Sequence, residues 1–137
     1  MSAIHHSTTR EWHRFTPSER LARYAGSPIV KGRPADYRFP PRLASNELAY
    51  AGRWRVEPER IVSVADARLR LRFDARNVFL VLGGKGRVDV SVDGKRTGAV
   101  DVDSYRLYTL RRAPSFGGGL LELRFTPGVQ AYAFTFG

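Results

Sequence analysis

The chain has 137 residues, with 23 lysines and arginines against 13 aspartates and glutamates and a formal net charge of +10. It contains no cysteine, which excludes disulfides, thiol catalysis and thiolate metal sites. The length fits one domain with a sizeable core. The charge fits an anionic partner such as nucleic acid, anionic lipid or an acidic glycan. An arginine-rich surface without such a partner is the alternative, and we favour it because the arginines are spread along the chain.

Residues 1–15 are polar, and we expect a flexible arm ahead of one domain over 16–137. They lack the apolar centre of a secretory signal, so the sequence as it stands predicts a cytoplasmic protein. The Thr-Pro-Ser-Glu motif at 16–19 is a capping-box pattern with proline at the first helical position. Gly-Ser-Pro at 26–28 limits the helix to about two turns, from 17 to roughly 24.

The remaining chain is punctuated by proline and glycine and predicts strands. The clearest strand is 67–74, where apolar and charged residues alternate strictly, as in a strand with one face in the core and one in water. Asp-Gly at 93–94 predicts a two-residue hairpin turn. The predicted strands are 35–39, 49–56, 61–64, 67–74, 77–82, 87–92, 95–100, 105–110, 120–125 and 129–136. Short strands at even spacing predict an all-β sandwich or barrel.

Two further patterns concern glycines and the C-terminal strand. The glycine-rich segment 83–86 contains a lysine, but a strand pattern follows it rather than a helix, so it predicts a hairpin turn and not a phosphate loop. Alternation within 129–136 puts Tyr132, Phe134 and Phe136 on one face, which we expect to fill the core. The opposite face would then hold Val129, Ala131, Ala133 and Thr135.

Residues with catalytic chemistry are scarce. All three histidines lie within residues 1–15, which leaves the domain without the side chain that most acid–base catalysis, triads and zinc sites use. Asp101 with Asp103, and Glu57 with Glu59, lie near predicted turns and are most simply solvated. A structural Ca²⁺ at Asp101 and Asp103 is the alternative. We therefore predict a protein that is not an enzyme, with no catalytic residue, metal or cofactor.

Arginines and aromatic residues supply the candidate binding sites. Arg68, Arg70 and Arg72 form a row on the predicted strand 67–74, where a solvated outer face is the default. Aromatic rings flanked by arginine and asparagine suit a sugar, because the ring takes C–H groups and the polar groups take hydroxyls. Core packing is the alternative; we favour it for Trp54 and leave it open for the tyrosines. The candidate ligand-binding residues are Asn46, Tyr50, Arg53, Trp54, Arg72, Tyr105, Arg106 and Tyr108.

Five segments together resemble one known family. They are FPPRLASN at 39–46, AYAGRW at 49–54, LRFDARNV at 71–78, RLYTL at 106–110 and, most closely, PGVQAYAFTFG at 127–137. The chain is similar over 16–137 to the C-terminal domain of DipZ-type thioredoxin-like proteins. The resemblance implies a jelly-roll β-sandwich like a carbohydrate-binding module, located outside the cytoplasm beside a thiol-disulfide domain and a membrane-spanning electron-transfer domain.

The chain departs from this pattern in several places. It has no thioredoxin-like domain with a CxxC motif, so redox activity does not carry over, and it has no membrane segment or export signal. The stretch 100–104 is short where we expect relatives to have a longer loop. Tyr50 also stands where the family pattern leads us to expect an aliphatic residue.

The leading hypothesis is a non-catalytic binding module for carbohydrate, with anionic cell-wall glycans matching the positive charge best. The alternative is a protein-docking module for a thioredoxin-like partner, a thiol-disulfide oxidoreductase. Nucleic-acid binding through the arginines is a third hypothesis, which we rank below both because the arginines do not cluster.

Overall fold

The structure is a computed structural model that describes residues 13–137. In this part of the chain one short helix accompanies ten strands, so the domain is all-β apart from its N-terminal helix. The elements are β1 His13–Arg14, α1 Pro17–Arg23, β2 Pro34–Tyr37, β3 Leu48–Val56, β4 Ile61–Asp74, β5 Asn77–Gly84, β6 Gly86–Val92, β7 Lys95–Val102, β8 Arg106–Arg112, β9 Gly118–Phe125 and β10 Val129–Phe136.

Helix α1 has the predicted capping box. The Thr16 hydroxyl oxygen accepts a hydrogen bond from the Glu19 backbone N–H at 3.1 Å, and the Glu19 carboxylate accepts one from the Thr16 N–H at 3.2 Å. These bonds satisfy N–H groups that have no partner within the helix. The predicted short helix is confirmed, and it ends at Arg23 because Tyr24 takes an extended conformation.

The strands form a jelly-roll β-sandwich in which the named strands pair antiparallel. Their order is β7-β6-β9-β4-β10-β5-β8, with β3 on β4, β2 on β3 and β1 on β10. Strands β2, β3, β4, β9, β6 and β7 make one layer, and β1, β10, β5 and β8 make the other. The layers join where Ile61 and Val62 of β4 pair with Ala131 and Gln130 of β10. One cluster of buried side chains fills the space between the layers, which is the expected core of a sandwich.

Most predicted strands are observed with small shifts of their ends. The two strands predicted at 61–64 and 67–74 are instead one long strand, β4. The strand predicted over 35–39 is observed as β2, Pro34–Tyr37, so Phe39 lies outside it. The predicted hairpin at 93–94 is confirmed, since Val92 of β6 pairs with Lys95 of β7 directly across the turn.

Residues 13–15 belong to the fold, although the sequence placed them in the arm. Strand β1 pairs with the end of β10, with His13 opposite Phe136 and Arg14 opposite Thr135. The ring of Phe15 is buried, and its centroid lies 5.1 Å from that of Phe136. The predicted boundary after residue 15 is therefore too late, and the rest of the predicted arm, residues 1–12, lies outside the described residues.

The glycine-rich segment 83–86 is not a hairpin turn. Strand β5 pairs with β10 and β8, whereas β6 pairs with β7 and β9, so this segment carries the chain from one layer to the other. A Cβ at Gly84 would lie 2.5 Å from the carbonyl oxygen of Gly128, and one at Gly86 would lie 2.3 Å from the hydroxyl of Thr126. Glycine is required at this crossing because Gly128 and Thr126 approach too closely to leave room for a Cβ, and not because of turn geometry alone.

The predicted faces of strand β10 are wrong for Val129, Ala131 and Tyr132, whereas Phe134 and Phe136 lie in the core as predicted. The register with β5 shifts between Ala131 and Phe134, which marks a β-bulge. A bulge adds a residue to one strand and reverses the alternation after it. The core side of β10 therefore holds Val129, Ala131, Phe134 and Phe136, while Tyr132 lies outside the core cluster and is half-buried.

A second irregularity lies between β3 and β4. The register shifts around Gly52, whose φ is +81°, opposite Asp66, whose φ is +48°. A Cβ at Gly52 would lie 1.9 Å from the carbonyl oxygen of Asp66. The indole N–H of the buried Trp54 donates to the carbonyl oxygens of Ala51 at 2.9 Å and Arg68 at 3.2 Å. The indole thus satisfies backbone groups at the bulge.

We expect Gly52→Ala to lower the free energy of unfolding by more than about 3 kcal/mol, because it combines backbone strain with overlap of the Asp66 carbonyl. Gly94→Ala is the matched control, since Gly94 has the same φ of +81° but nothing within 4 Å of its Cβ position. It should cost about 1–2 kcal/mol, the strain alone. Chemical denaturation of both variants measures the difference, and equal losses would show that the overlap is relieved without cost.

Candidate functional site

Three of the predicted ligand-binding aromatics are buried, so their ring faces are covered by protein. Trp54 and Tyr108 belong to the core cluster, and the Trp54 ring packs edge-on against Phe125 with centroids 4.9 Å apart. Tyr50 is 1% exposed and contacts the rings of Tyr24 and Trp54. A stacking role for these three does not fit this burial, and the core alternative holds for Trp54.

Tyr108 instead organises the turn between β7 and β8. Its hydroxyl oxygen accepts from the backbone N–H groups of Asp103 and Ser104, both at 3.2 Å. Two acceptors lie within reach of its one hydrogen, the Ser104 carbonyl oxygen at 2.8 Å and the Asp103 carboxylate at 3.1 Å. Hydrogen bonding from Tyr108 holds the pKa of Asp103 below its usual range. The turn that carries Tyr105 is therefore anchored to a buried ring.

The predicted polar residues have protein partners and do not share one surface. Arg53 forms an ion pair with Asp36 at 3.2 Å. The Arg106 guanidinium lies 3.9 Å from the centre of the Tyr108 ring. The other two lie together: the Asn46 backbone N–H donates to the Arg72 carbonyl oxygen at 2.7 Å, and the Arg72 side chain donates to the Leu43 carbonyl oxygen at 3.0 Å.

The arginine row on β4 is partly buried, and each of its side chains contacts another part of the chain. The guanidinium groups of Arg68 and Arg70 lie over the Phe39 ring at 5.4 and 4.3 Å from its centre. Arg70 also pairs with Glu122 at 2.8 Å, and Arg72 is tied to the segment around Leu43. The row therefore fastens the connection between β2 and β3 onto the sheet, and its charges are engaged within the chain.

An exposed aromatic surface lies instead on the outer face of β5, β8 and β10. We call it the tyrosine shelf and define it by Gly83, Tyr105, Gln130, Tyr132 and Arg60. Tyr105 is 65% exposed and meets the Tyr132 ring edge-on, with centroids 4.9 Å apart and planes at 89°. Gly83 is the floor, since a Cβ there would lie 3.2–3.5 Å from atoms of Gln130, Tyr132 and Tyr105.

Polar groups border the shelf. The Tyr132 hydroxyl donates to the Gln130 side-chain oxygen at 2.7 Å. A shallow hollow of about 380 Å³ lies between Tyr132 and the turn 57–60. Within that turn the Arg60 guanidinium donates to the Glu57 carboxylate at 2.7 Å. Of the shelf residues the sequence singled out only Tyr105 as a candidate, because the bulge in β10 hides the outward position of Tyr132.

A second concave surface, the helix cleft, adjoins the shelf across the same turn. It has a volume of about 510 Å³ and lies between α1, the 24–32 connection and β3. Its lining is mostly apolar and consists of Arg20, Leu21, Tyr24, Ile29, Lys31, Gly32, Tyr50, Val56, Glu57 and Pro58. No sequence pattern pointed to this cleft, because its lining brings α1 and the 24–32 connection together with β3 and the turn after it, which are distant in the sequence.

Among residues 13–137, no group of three or more histidine, cysteine, aspartate or glutamate side chains is placed to hold a metal ion. Over the same described range, α1 is too short and too polar to be a membrane-crossing helix, and no other helix qualifies.

One protein family matches almost all of the described chain. A family model described as "Thioredoxin like C-terminal domain" matches residues 14–137. The chain belongs to this family. The thioredoxin-like C-terminal domain described here is 29% identical over 119 residues to Protein DipZ of Mycobacterium bovis and, equally, to that of Mycobacterium tuberculosis. The match covers 86% of this chain and 17% of each relative, so the chain spans less than a fifth of those proteins.

Solved structures confirm the sandwich fold of the domain. A family two carbohydrate esterase from Cellvibrio japonicus matches 66% of this chain and 30% of its own, with a TM-score of 0.60 and 13% identity. The corresponding esterase from Clostridium thermocellum, solved in complex with cellohexaose, matches 66% of this chain and 31% of its own, with a TM-score of 0.59 and 20% identity. At these identities the likeness shows the fold alone.

We expect Tyr108→Phe to lower the free energy of unfolding by about 1 kcal/mol, because the turn loses the hydroxyl that pairs with two backbone N–H groups. Amide hydrogen exchange at Asp103 and Ser104 should accelerate at the same time. Tyr105→Phe is the control, since the Tyr105 hydroxyl has no hydrogen bond among the described residues, and it should change stability by less than about 0.5 kcal/mol. Unchanged exchange in Tyr108→Phe would contradict the anchoring role.

Proposed function

We propose that this domain is a non-catalytic glycan-binding module and that the tyrosine shelf is its binding surface. The observation that carries the proposal is the pair of perpendicular rings, Tyr105 and Tyr132, set over Gly83 on an exposed sheet face. A sugar ring presents C–H groups on its face and hydroxyls at its edge, so it needs an accessible aromatic face with hydrogen-bonding groups beside it.

The shelf meets both requirements. Tyr105 presents an accessible ring, and its edge-on contact with Tyr132 restrains its position. Gln130 accepts one hydrogen bond from Tyr132, which leaves its amide hydrogens to donate. A few fixed polar groups around an apolar platform are the usual composition of a ligand site.

The surrounding charge favours anionic glycans over neutral ones. The chain carries a formal net charge of +10, and Arg60 stands at the shelf on the turn that also forms the hollow beside Tyr132. Long-range attraction of this kind raises the rate of encounter with an anionic polymer and weakens with salt.

We expect the purified chain to be retained on insoluble bacterial cell wall at low salt and Tyr105→Ala to weaken this binding at least tenfold, about 1.4 kcal/mol. The matched control is Phe116→Ala, because Phe116 is 68% exposed on the connection between β8 and β9, away from the shelf. The measurement is a depletion isotherm on cell wall with and without its anionic polymers. Absence of retention of the unaltered chain at low salt would refute glycan binding, and equal losses in both variants would refute the shelf as the site.

A second candidate is docking of a thioredoxin-like partner, which the family and the DipZ relatives favour. Leu107, opposite Val81 of β5, is 47% exposed and adds apolar area to the outer face that carries Tyr105. Exposed apolar area on a sheet face is typical of protein contacts. Titration with a purified thioredoxin-like domain, followed by amide NMR, should then shift Leu107 and its neighbours, and Leu107→Lys should abolish the shifts.

A further inference from the structure

The helix cleft is lined by a tyrosine hydroxyl that has no hydrogen-bond partner among residues 13–137. Tyr50 lines the cleft and is 1% exposed. Its hydroxyl has no hydrogen-bond partner among residues 13–137, whereas the neighbouring Tyr24 hydroxyl donates to the Ser27 carbonyl oxygen at 2.5 Å. The Tyr50 oxygen is not one of the fully enclosed unpaired polar atoms, so it opens onto the cleft. It therefore offers a hydrogen-bonding group to a ligand that fills the cleft.

Tyr50 serves that ligand as a donor. Burial raises the pKa of Tyr50 well above its ordinary value, and the nearby Arg20 charge offsets only part of this. The hydroxyl therefore keeps its proton at neutral pH and offers it to an acceptor atom. The same interaction places the Arg20 charge within electrostatic reach of the Tyr50 oxygen.

The cleft also has an excess of positive charge. The Arg20 guanidinium donates to the carbonyl oxygens of Tyr132 at 2.9 Å and Pro58 at 3.2 Å, and it has no carboxylate partner among the described residues. Lys31, which also lines the cleft, likewise has none in that part of the chain. The single acid, Glu57, is neutralised by Arg60 at 2.7 Å and Arg55 at 2.9 Å.

Together these features describe a complementary ligand, and the geometry points to an amphipathic organic anion, an alkyl or arylalkyl carboxylate. Its apolar body lies against Leu21, Ile29 and Val56, and its carboxylate accepts from the Tyr50 hydroxyl beside Arg20. A volume of about 510 Å³ is within the range of small-molecule sites. Exposure of Leu21 at the rim leaves apolar surface that such a ligand covers.

This site is separate from the proposed glycan surface. The cleft and the hollow beside the shelf share Glu57 and Pro58, but none of the residues that define the shelf lines the cleft. The two proposals therefore fail independently: loss of glycan binding in Tyr105→Ala leaves carboxylate binding intact, and loss of carboxylate binding in a cleft variant leaves retention on cell wall intact.

The test is an amide NMR titration of the full chain with octanoate and, for comparison, octylammonium, which has the same alkyl body and the opposite charge. We expect saturable shifts at the cleft residues with octanoate and at least about tenfold weaker binding of octylammonium. Tyr50→Phe should bind octanoate about three- to tenfold more weakly, the loss of one hydrogen bond. Its melting temperature should equal or exceed that of the unaltered chain, because the hydroxyl it removes has no partner.

Lys31→Met gives a second variant that leaves the buried wall untouched, since Lys31 is exposed. It should weaken octanoate binding several-fold, whereas Tyr105→Phe on the shelf should not change it. Equal binding of octanoate and octylammonium would overturn the assignment of an anionic ligand. Unchanged affinity in both cleft variants, or no saturable shift at the cleft up to about 10 mM octanoate, would overturn the site itself.

Discussion

The division of strand β4 between two partners is the constraint on which the rest of the structure depends. Its second half pairs with β9 from Ala67 to Asp74, and its first two residues pair with β10. A strand can change partners only if its backbone bends and its freed groups find other partners. The bend lies at Asp66, opposite Gly52, and the Trp54 indole N–H donates hydrogen bonds to two backbone carbonyl oxygens nearby. Both candidate surfaces meet at the turn that opens β4.

Strand pairing is interrupted where β4 changes partners, and a buried hydroxyl supplies hydrogen bonds at this point. Ser63 lies between the end of β9 and the start of β10, where neither strand continues the ladder. Its hydroxyl accepts from the Val129 N–H at 2.9 Å and donates to the Thr126 carbonyl oxygen at 2.7 Å. Serine is small enough to fit a buried position and supplies both a donor and an acceptor. The core can therefore remain apolar around a point where strand pairing is interrupted.

The strands and the capping box could be predicted from the sequence, because alternation, turn residues and caps are patterns that extend over only a few positions. Gly52 inside an otherwise regular strand was a usable sign of a bulge, since glycine weakens a strand unless close approach requires it. The bulge in β10 has no glycine or proline to mark it, so the outward position of Tyr132 was hidden. Segments 83–86 and 13–15 were misassigned because layer crossing and pairing with β10 depend on distant residues. The helix cleft depends on tertiary packing in the same way.

Several arginines of this basic chain have structural roles within it. Arg68, Arg70 and Arg72 fasten a connecting segment, as a long apolar stem with a planar donor group allows. Arg20 has a different place, because it joins α1 to the Tyr132 carbonyl and to the Glu57–Pro58 turn. One guanidinium nitrogen of Arg20 thus donates to the backbone of the strand that carries Tyr132, while the charge of the group acts on Tyr50 in the cleft. Displacing Arg20 therefore alters both surfaces at once, which makes it the physical link between them.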